Sequence, residues 1–256
     1  MMKITLVQSP IEWEDAEANL KNFSALLAGV KETTDLVVLP EMFTTGFTMN
    51  PAPVAETMDG PGVAWMKATA MNMNVAVAGS LVITENGKYY NRLIFMCPDG
   101  TFHTYDKRHL FSHAGESNQY TAGKDKVIVD YKGWKICLQV CYDLRFPVFS
   151  RNTSHYDLLL YVANWPSSRI FAWDTLIKAR AIENVSFAVG VNRVGTDASG
   201  QEYPGHSKVV DHLGQAILEC GDAKGAFTVT MNRKALKEFR IKFDVLNDMD
   251  SFVLTE

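Results

Sequence analysis

Two short runs of apolar residues constrain the fold of this chain more than any other feature. Residues 35–39 read DLVVL and residues 158–162 read LLLYV, almost without a polar position. A strand that is apolar at consecutive positions is typically covered on both faces, as in layered α/β proteins. With 256 residues, 47% of them hydrophobic, the chain has enough apolar side chains for one large α/β domain or two fused halves.

Helical periodicity separates the predicted strands. Apolar side chains recur at helical spacing in residues 16–30, 63–73 and 170–184. Residues 110–124 have no periodicity and are predicted to form a loop, which holds Glu116. Because no linker interrupts the pattern, we expect a single domain over residues 1–256.

A cysteine follows another predicted strand. Apolar side chains alternate from Trp134 to Val140, and Asp143 and Pro147 are typical of a helix start. Cys141 is therefore predicted to lie at a strand-to-helix corner, where the thiol is exposed and the helix N-terminus favours a thiolate. The alternative is that Cys141 is simply a small buried hydrophobic residue.

Two charged residues follow other predicted strands. Glu41 comes after the run 35–39, and Lys107 comes after a short strand at 101–105. Each has the alternative interpretation of a solvated surface residue. Together with Cys141, however, they supply a base, a cation for a developing oxyanion and a nucleophile, which are the groups that acyl transfer requires.

Composition excludes several function classes. The net charge is −4, and no basic run is interleaved with aromatic residues, so nucleic acid is not expected as a partner. No apolar run is long enough to span a membrane, and the first residues do not resemble a signal peptide, so we expect a cytoplasmic protein. The four cysteines are then expected to be thiols, and a metal site lacks a second cysteine pair at suitable spacing.

Three segments resemble the signature sequences of the nitrilase (carbon–nitrogen hydrolase) superfamily. They are LPEMFTTGF at 39–47, YDKRHLF at 105–111 and VCYDLRFP at 140–147. Residues 161–166, YVANWP, and the segment 178–195 also look like the strands and helix that follow in this family. The resemblance implies an α/β fold of the nitrilase type, an α-β-β-α sandwich, and a homodimer.

The resemblance also implies a role for each candidate residue. Cys141 corresponds to the nucleophile, Glu41 to the general base and Lys107 to the oxyanion-stabilising cation. Glu116 falls where the family often has a second glutamate that orients the first pair. The backbone N–H of Tyr142 is expected to hold the oxyanion as well, and no metal or organic cofactor is required.

Arg145 points to the substrate class. It stands one helical turn after Cys141, and a guanidinium in the pocket suits a carboxylate at the far end of a short substrate. The whole set is most similar to omega-amidases, which hydrolyse 2-oxoglutaramate and similar monoamides of dicarboxylic acids. Arg145 is alternatively an internal partner of Asp143 or another acid, and Trp165 is either an aromatic pocket wall or core packing.

Other functions stay open at this point. Residues 203–214, YPGHSKVVDHLG, also resemble a segment of the deaminated-glutathione amidase, and nitrile or N-carbamoyl hydrolases are further relatives. A Cys/His hydrolase is a further alternative because the chain has six histidines, but the residues around its cysteines lack the flanking pattern of papain-like enzymes. A binding protein without activity would not need all three chemical groups.

Overall fold

The computed structural model describes residues 1–254 of the chain. In chain order its strands are β1 (Met2–Gln8), β2 (Leu36–Val38), β3 (Ala76–Glu85), β4 (Lys88–Met96), β5 (Phe102–Asp106), β6 (Ile128–Tyr131), β7 (Trp134–Val140), β8 (Leu158–Ala163), β9 (Phe187–Asn192), β10 (Val194–Thr196), β11 (Glu202–Pro204), β12 (Lys208–Val210), β13 (Ala216–Glu219) and β14 (Gly225–Met231). Its α-helices are α1 (Ala16–Ala28), α2 (Pro61–Met73), α3 (Glu116–Gln119), α4 (Pro147–Ser150), α5 (Ile170–Glu183) and α6 (Arg233–Lys242). Short 3₁₀ helices lie at Ser112–Ala114, Cys141–Arg145, Ser167–Arg169 and Val245–Asp248.

Two six-stranded sheets repeat the same plan. The first has the order β14-β1-β2-β3-β4-β5 and the second the order β13-β12-β9-β8-β7-β6. In each sheet three parallel strands form the centre, β1-β2-β3 and β7-β8-β9, and antiparallel strands complete the edges. The two strand-and-helix halves expected from the sequence are therefore two sheets of one domain.

The sheets pack face to face, and helices cover their outer sides. Leu36 and Val38 share one apolar cluster with Ile136 and Leu158 of the opposite sheet, whereas Val37 packs into a second cluster. That second cluster includes side chains of α1 and α2, while α5 packs on β9 of the other sheet. The run at 35–39 is thus buried on both faces, and the predicted α-β-β-α sandwich is confirmed.

The β7 strand differs from a half-buried strand. Its sequence alternates, yet every residue of it except Lys135 is buried, including Cys137 and Gln139. Beyond Lys135 both sides of β7 are therefore covered, so the alternation in the sequence does not mark a solvent-facing side. Among residues 1–254, no helix has the length and apolar character needed to cross a membrane.

The predicted loop at 110–124 was wrong in part. Residues Ser112–Ala114 form a 3₁₀ turn, and Glu116 begins the short helix α3. Gly115, with φ +82°, separates the two turns in the left-handed region that glycine adopts without strain. Neither turn is long enough to show a helical period in the sequence, which is why the pattern gave no sign of them.

Candidate active site

Cys141 lies directly after β7, where the chain turns into the 3₁₀ helix Cys141–Arg145. Its φ is +43°, an uncommon left-handed conformation for a residue with a side chain. Met42, which follows Glu41, has a similar φ of +45°. Strained backbone of this kind persists only where the surroundings enforce it, and it is concentrated at functional sites.

Asp143 fixes the corner that holds Cys141. Its Oδ2 accepts hydrogen bonds from the Val140 N–H at 2.9 Å and from the Tyr105 hydroxyl at 2.7 Å. Its Oδ1 accepts from the His109 N–H at 2.9 Å and lies 2.7 Å from His109 Nδ1. The expectation that Asp143 caps a helix start is confirmed for the 3₁₀ helix Cys141–Arg145, because its carboxylate accepts the N–H of the N-cap residue Val140, whereas the start of α4 has no side-chain cap. Pro147 does begin α4, as expected.

Three charged side chains form a buried cluster beside this corner. Lys107 Nζ lies 2.9 Å from Glu41 Oε1 and 2.9 Å from Glu116 Oε2, and all three side chains are fully buried. Glu41 follows β2 and Lys107 follows β5, whereas Glu116 reaches the cluster from α3. The structure thus brings together the candidate residues that the sequence placed after separate strands. Two carboxyl groups thus share one ammonium.

Two asparagines complete the cluster. Asn91 Nδ2 donates to Glu41 Oε1 at 2.7 Å and to Glu116 Oε1 at 3.1 Å. The Asn164 N–H donates to Glu41 Oε2 at 2.8 Å, and the carbonyl of Asn164 lies 3.9 Å from Cys141 Sγ. Asn164 therefore contacts both the thiol of Cys141 and the carboxylate of Glu41. The sequence analysis identified neither Asn91 nor Asn164 as part of the site, although Asn164 lies within the YVANWP segment.

The electrostatics of the cluster fix the charge of Lys107. Burial alone would lower the pKa of the Lys107 ammonium, but the carboxylates of Glu116 and Glu41 outweigh burial, so that its pKa is raised. Burial raises the pKa of Glu116, and the charge of Glu41 adds to this effect while Lys107 opposes it. Lys107 consequently stays a cation across the neutral pH range.

The expectation of a thiolate at Cys141 was wrong for the free protein. Burial and the charge of Glu41 hold the pKa of the Cys141 thiol well above its ordinary value, and Lys107 offsets only part of this. A short 3₁₀ turn also has less dipole than a long helix. Cys141 therefore needs a base beside it, because the resting thiol does not ionise by itself near neutral pH.

A cavity of about 490 Å³ opens above the thiol. Its floor includes Cys141, Lys107 and Asn164. The wall is built by aromatic and charged side chains from several loops, namely Trp13, Phe47, Phe111, Tyr142, Arg145, Trp165, Arg169, Asp197 and Tyr203. The volume suits a small molecule.

The three residues expected to bind substrate all line this cavity. The Arg145 guanidinium lies over the Trp165 ring, 5.0 Å from its centroid, and has no carboxylate partner among residues 1–254. Its alternative partner, Asp143, is bonded elsewhere. Trp165 is both a wall of the cavity and part of the packing, since its ring lies 5.5 Å from the Trp173 ring between centroids. Tyr142 contacts Phe111 at 4.9 Å between ring centroids.

A Cys/His pair is not formed. In the described part of the chain no histidine is hydrogen-bonded to Cys141, whose thiol instead approaches the carbonyl of Asn164. His109 is committed to Asp143 and stacks on Phe146 at 3.8 Å. His109 is therefore not available as a proton acceptor for Cys141.

Comparison with known proteins places this arrangement in a family. The carbon–nitrogen hydrolase family model matches residues 3–241. The chain is 45% identical to an omega-amidase of Yersinia enterocolitica, over 99% of this chain and 98% of the relative. It is 30% identical to a 2-oxoglutaramate amidase of Bacillus subtilis, over 96% of both chains.

A solved structure agrees with the sequence relatives. XC1258 of Xanthomonas campestris, a carbon–nitrogen hydrolase superfamily protein with an arsenic adduct in its active site, superposes with a TM-score of 0.97. That protein is 45% identical, and 99% of each chain is covered. The resemblance drawn from the three signature segments is confirmed, and this chain belongs to the carbon–nitrogen hydrolase family.

Proposed function

We propose that this protein is an omega-amidase, which hydrolyses the terminal amide of a small dicarboxylic acid monoamide such as 2-oxoglutaramate to the dicarboxylate and ammonia. One observation carries the proposal: the cavity above Cys141 holds the Arg145 guanidinium, which has no carboxylate partner in the described residues 1–254. A half-buried guanidinium of this kind favours an anionic ligand, and a carboxylate matches its planar fork. The similarity to omega-amidases supports the same substrate class. The whole chain, residues 1–256, forms the one catalytic domain.

Acylation begins when the Cys141 thiol attacks the amide carbonyl. Glu41 accepts the thiol proton, the S–C bond forms, and the carbonyl oxygen becomes an oxyanion. Lys107 lines the cavity, and its ammonium lies within hydrogen-bond distance of one oxygen of Glu41 and both oxygens of Glu116, so the oxyanion takes over one of the two contacts with Glu116. The Tyr142 N–H is the second donor, since the first N–H groups of a helix have no partner within it.

Collapse of the oxyanion breaks the C–N bond. Glu41 returns its proton to the leaving nitrogen, and ammonia departs to leave a thioester on Cys141. Water then gives a proton to Glu41 and attacks the thioester, and the released thiolate recovers that proton as the acid leaves. Glu116 holds Lys107 and, through Asn91, the carboxylate of Glu41 in place.

The far end of the substrate meets the aromatic wall. Trp165 supports the Arg145 guanidinium, and the ring of Tyr142 closes the space next to Cys141. With the amide at the thiol and the carboxylate at Arg145, the length of the substrate is limited to a short chain. Neither a metal ion nor an organic cofactor takes part in these steps.

We further infer that two chains associate through the outer face of α5. Phe171 is 82% exposed, and Thr175, Lys178 and Ile182 continue the same exposed stripe along the helix. Exposed large apolar residues on one helix face are typical of an interface. Light scattering should give twice the chain mass, and the double variant Phe171→Asp, Ile182→Asp should be a monomer.

The cytoplasm is the proposed location. All four cysteines are free, and Cys141 must stay reduced to act as a nucleophile, which suits a reducing compartment. Fractionation of cells that produce the full chain should place the ammonia-releasing activity in the cytosol. Activity recovered from a secreted fraction would contradict this location.

A substrate panel tests the proposed function. Ammonia release should be measured with 2-oxoglutaramate, glutaramate, succinamate, butyramide, a short nitrile and an N-carbamoyl amino acid. We expect the monoamides that carry a carboxylate to have the highest kcat/KM. A preference for deaminated glutathione, the nitrile or the carbamoyl compound would move the protein to another branch of the family.

A further inference from the structure

Arg169 is a second guanidinium in the same cavity. It lines the cavity with Arg145 and Cys141, and its guanidinium lies over the Phe111 ring, 5.1 Å from the centroid. Like Arg145, it has no carboxylate partner within residues 1–254. Asp197, the acidic side chain of the cavity wall, is already held by Ser199, Gln201 and the Tyr203 hydroxyl. Two guanidinium groups therefore line the cavity, and neither is paired with a carboxylate of residues 1–254.

Trp165 contacts both arginines. The face of its indole carries the Arg145 guanidinium at 5.0 Å, and its Nε1–H donates to the carbonyl of Arg169 at 2.8 Å. The Arg169 N–H in turn donates to Pro166, at 3.0 Å. Trp165 thus contacts the side chain of Arg145 and the backbone of Arg169, so both arginines adjoin one aromatic side chain of the cavity wall.

An arginine at position 169 does not help the helix α5 to form. It is the N-cap residue of α5, and its side chain makes no capping hydrogen bond. N-cap positions favour Ser, Thr, Asp or Asn, and a cation is disfavoured at the positive end of the helix dipole. Residues that break a local rule in this way are concentrated at functional sites. An anion bound at Arg169 would be stabilised by both the guanidinium and the helix N-terminus.

We propose that Arg169 is a second specificity-determining residue, which with Arg145 forms a two-guanidinium clamp fitted to a 2-oxo carboxylate rather than to a simple carboxylate. One guanidinium fork can pair with both oxygens of a carboxylate. A 2-oxo acid adds a ketone oxygen beside that carboxylate, and this oxygen is the acceptor for the second fork. The inference rests on the proposed function, because the amide end must lie at Cys141 for the acid end to reach the arginines.

Two substrates isolate the ketone oxygen. 2-Oxoglutaramate and glutaramate have the same chain length, the same amide and the same carboxylate, and differ only in a carbonyl or a methylene next to the carboxylate. We expect the wild type to prefer 2-oxoglutaramate. In the Arg169→Met variant the ratio of the two kcat/KM values should fall by about tenfold or more, mainly through KM for 2-oxoglutaramate.

Methionine is the informative replacement because it keeps an unbranched apolar stem over Phe111 while removing the fork. Phe111 also donates its N–H to Glu116 Oε2 at 2.6 Å, so a merely structural role of Arg169 would disturb Glu116 and lower kcat equally for both substrates. The matched control is Lys67→Met, which removes an exposed cation of α2 and should leave both kcat/KM values unchanged.

The outcomes separate the two proposals. An unchanged ratio, an equal loss with both substrates, or a wild type that does not prefer 2-oxoglutaramate would overturn the role of Arg169 and leave the omega-amidase assignment standing. A wild type that releases ammonia from neither monoamide would instead overturn the proposed function.

Discussion

The buried cluster around Lys107 and the outer wall around Trp165 use charge in opposite ways. In the cluster, Lys107, Glu41 and Glu116 are fully buried and bonded to one another. In the wall, the guanidinium groups of Arg145 and Arg169 rest on aromatic rings and have no internal carboxylate within the described chain. The charged side chains of the cluster are paired with one another, whereas the two guanidinium groups of the wall have no carboxylate partner within residues 1–254.

We expect the cluster to determine the chemical step and the wall to determine which substrate binds. A buried, mutually bonded cluster is preorganised, so we expect it to determine kcat for any amide that reaches Cys141. An unpaired guanidinium gains its partner only when substrate binds, so it is expected to determine KM and the choice of substrate. Changes in the two regions should therefore be distinguishable by steady-state kinetics.

The largest effect of a single carboxylate is expected at Glu41. Glu41→Gln removes the proton acceptor and should lower kcat by about 100- to 10,000-fold. The same change should lower the pKa of the Cys141 thiol, because the charge of Glu41 is one cause of its raised value. Ultraviolet titration of the thiolate and ammonia release, measured on the same variant, give both quantities.

The thiol pKa and the rate of ammonia release have to be compared in the same variant. More thiolate with less turnover would show that proton transfer, rather than the amount of thiolate, limits the reaction. An active Glu41→Gln variant, or a thiol pKa that rises, would contradict the assigned role. Glu238→Gln removes an exposed carboxylate of α6 and should change neither quantity.

Lys107→Met should be the next most damaging change. Loss of one oxyanion donor typically costs about 100- to 1000-fold in kcat, with little effect on KM. The variant also leaves Glu41 and Glu116 buried without their cation, which should lower the free energy of unfolding by about 3–5 kcal/mol. If KM rises and kcat does not fall, Lys107 binds the substrate instead.

The stability of Lys107→Met should depend on pH in a defined direction. Burial already raises the pKa of Glu116, and removal of Lys107 raises it further. A carboxyl with a raised folded-state pKa stabilises the fold when protonated, and this contribution is lost as pH rises through that pKa. Denaturant unfolding should therefore show the deficit against wild type growing from acidic to neutral pH.

Arg145 should have a smaller effect, confined to recognition. Arg145→Ala should lower kcat/KM for glutaramate by about ten- to a hundredfold and leave butyramide, which lacks the carboxylate, almost unchanged. Arg145→Lys should also be damaging, because an ammonium does not reproduce the planar fork. The variant and the truncated substrate form a double-mutant cycle, and additive losses would show that Arg145 does not bind the carboxylate.

Glu41, Lys107 and Cys141 were predictable because each comes just after the end of a predicted strand. Glu41, Lys107 and Cys141 were identified from apolar runs and their polar ends, together with the signature segments of the family. Asn91 was not, since it lies within β4 and its role depends on packing between distant segments. The 3₁₀ turn and α3 around Glu116 were missed because single turns leave no period.

The outer wall was less predictable than the cluster. Arg145 was found through its spacing from Cys141, but Arg169 reaches the same cavity from the turn before α5, far along the chain. The protonation state of Cys141 was also beyond the sequence. Burial and a neighbouring carboxylate decide it, and both are properties of the assembled fold.

Covalent labelling by a slowly hydrolysed monoamide tests the thioester at Cys141 most directly. Rapid acid quench and peptide mass spectrometry of the wild type should place one acyl group on Cys141. The Cys141→Ala variant should fold with a similar Tm, take up no acyl group and release no ammonia. An acyl group on Cys97, Cys137 or Cys220, with Cys141→Ala still active, would contradict the mechanism.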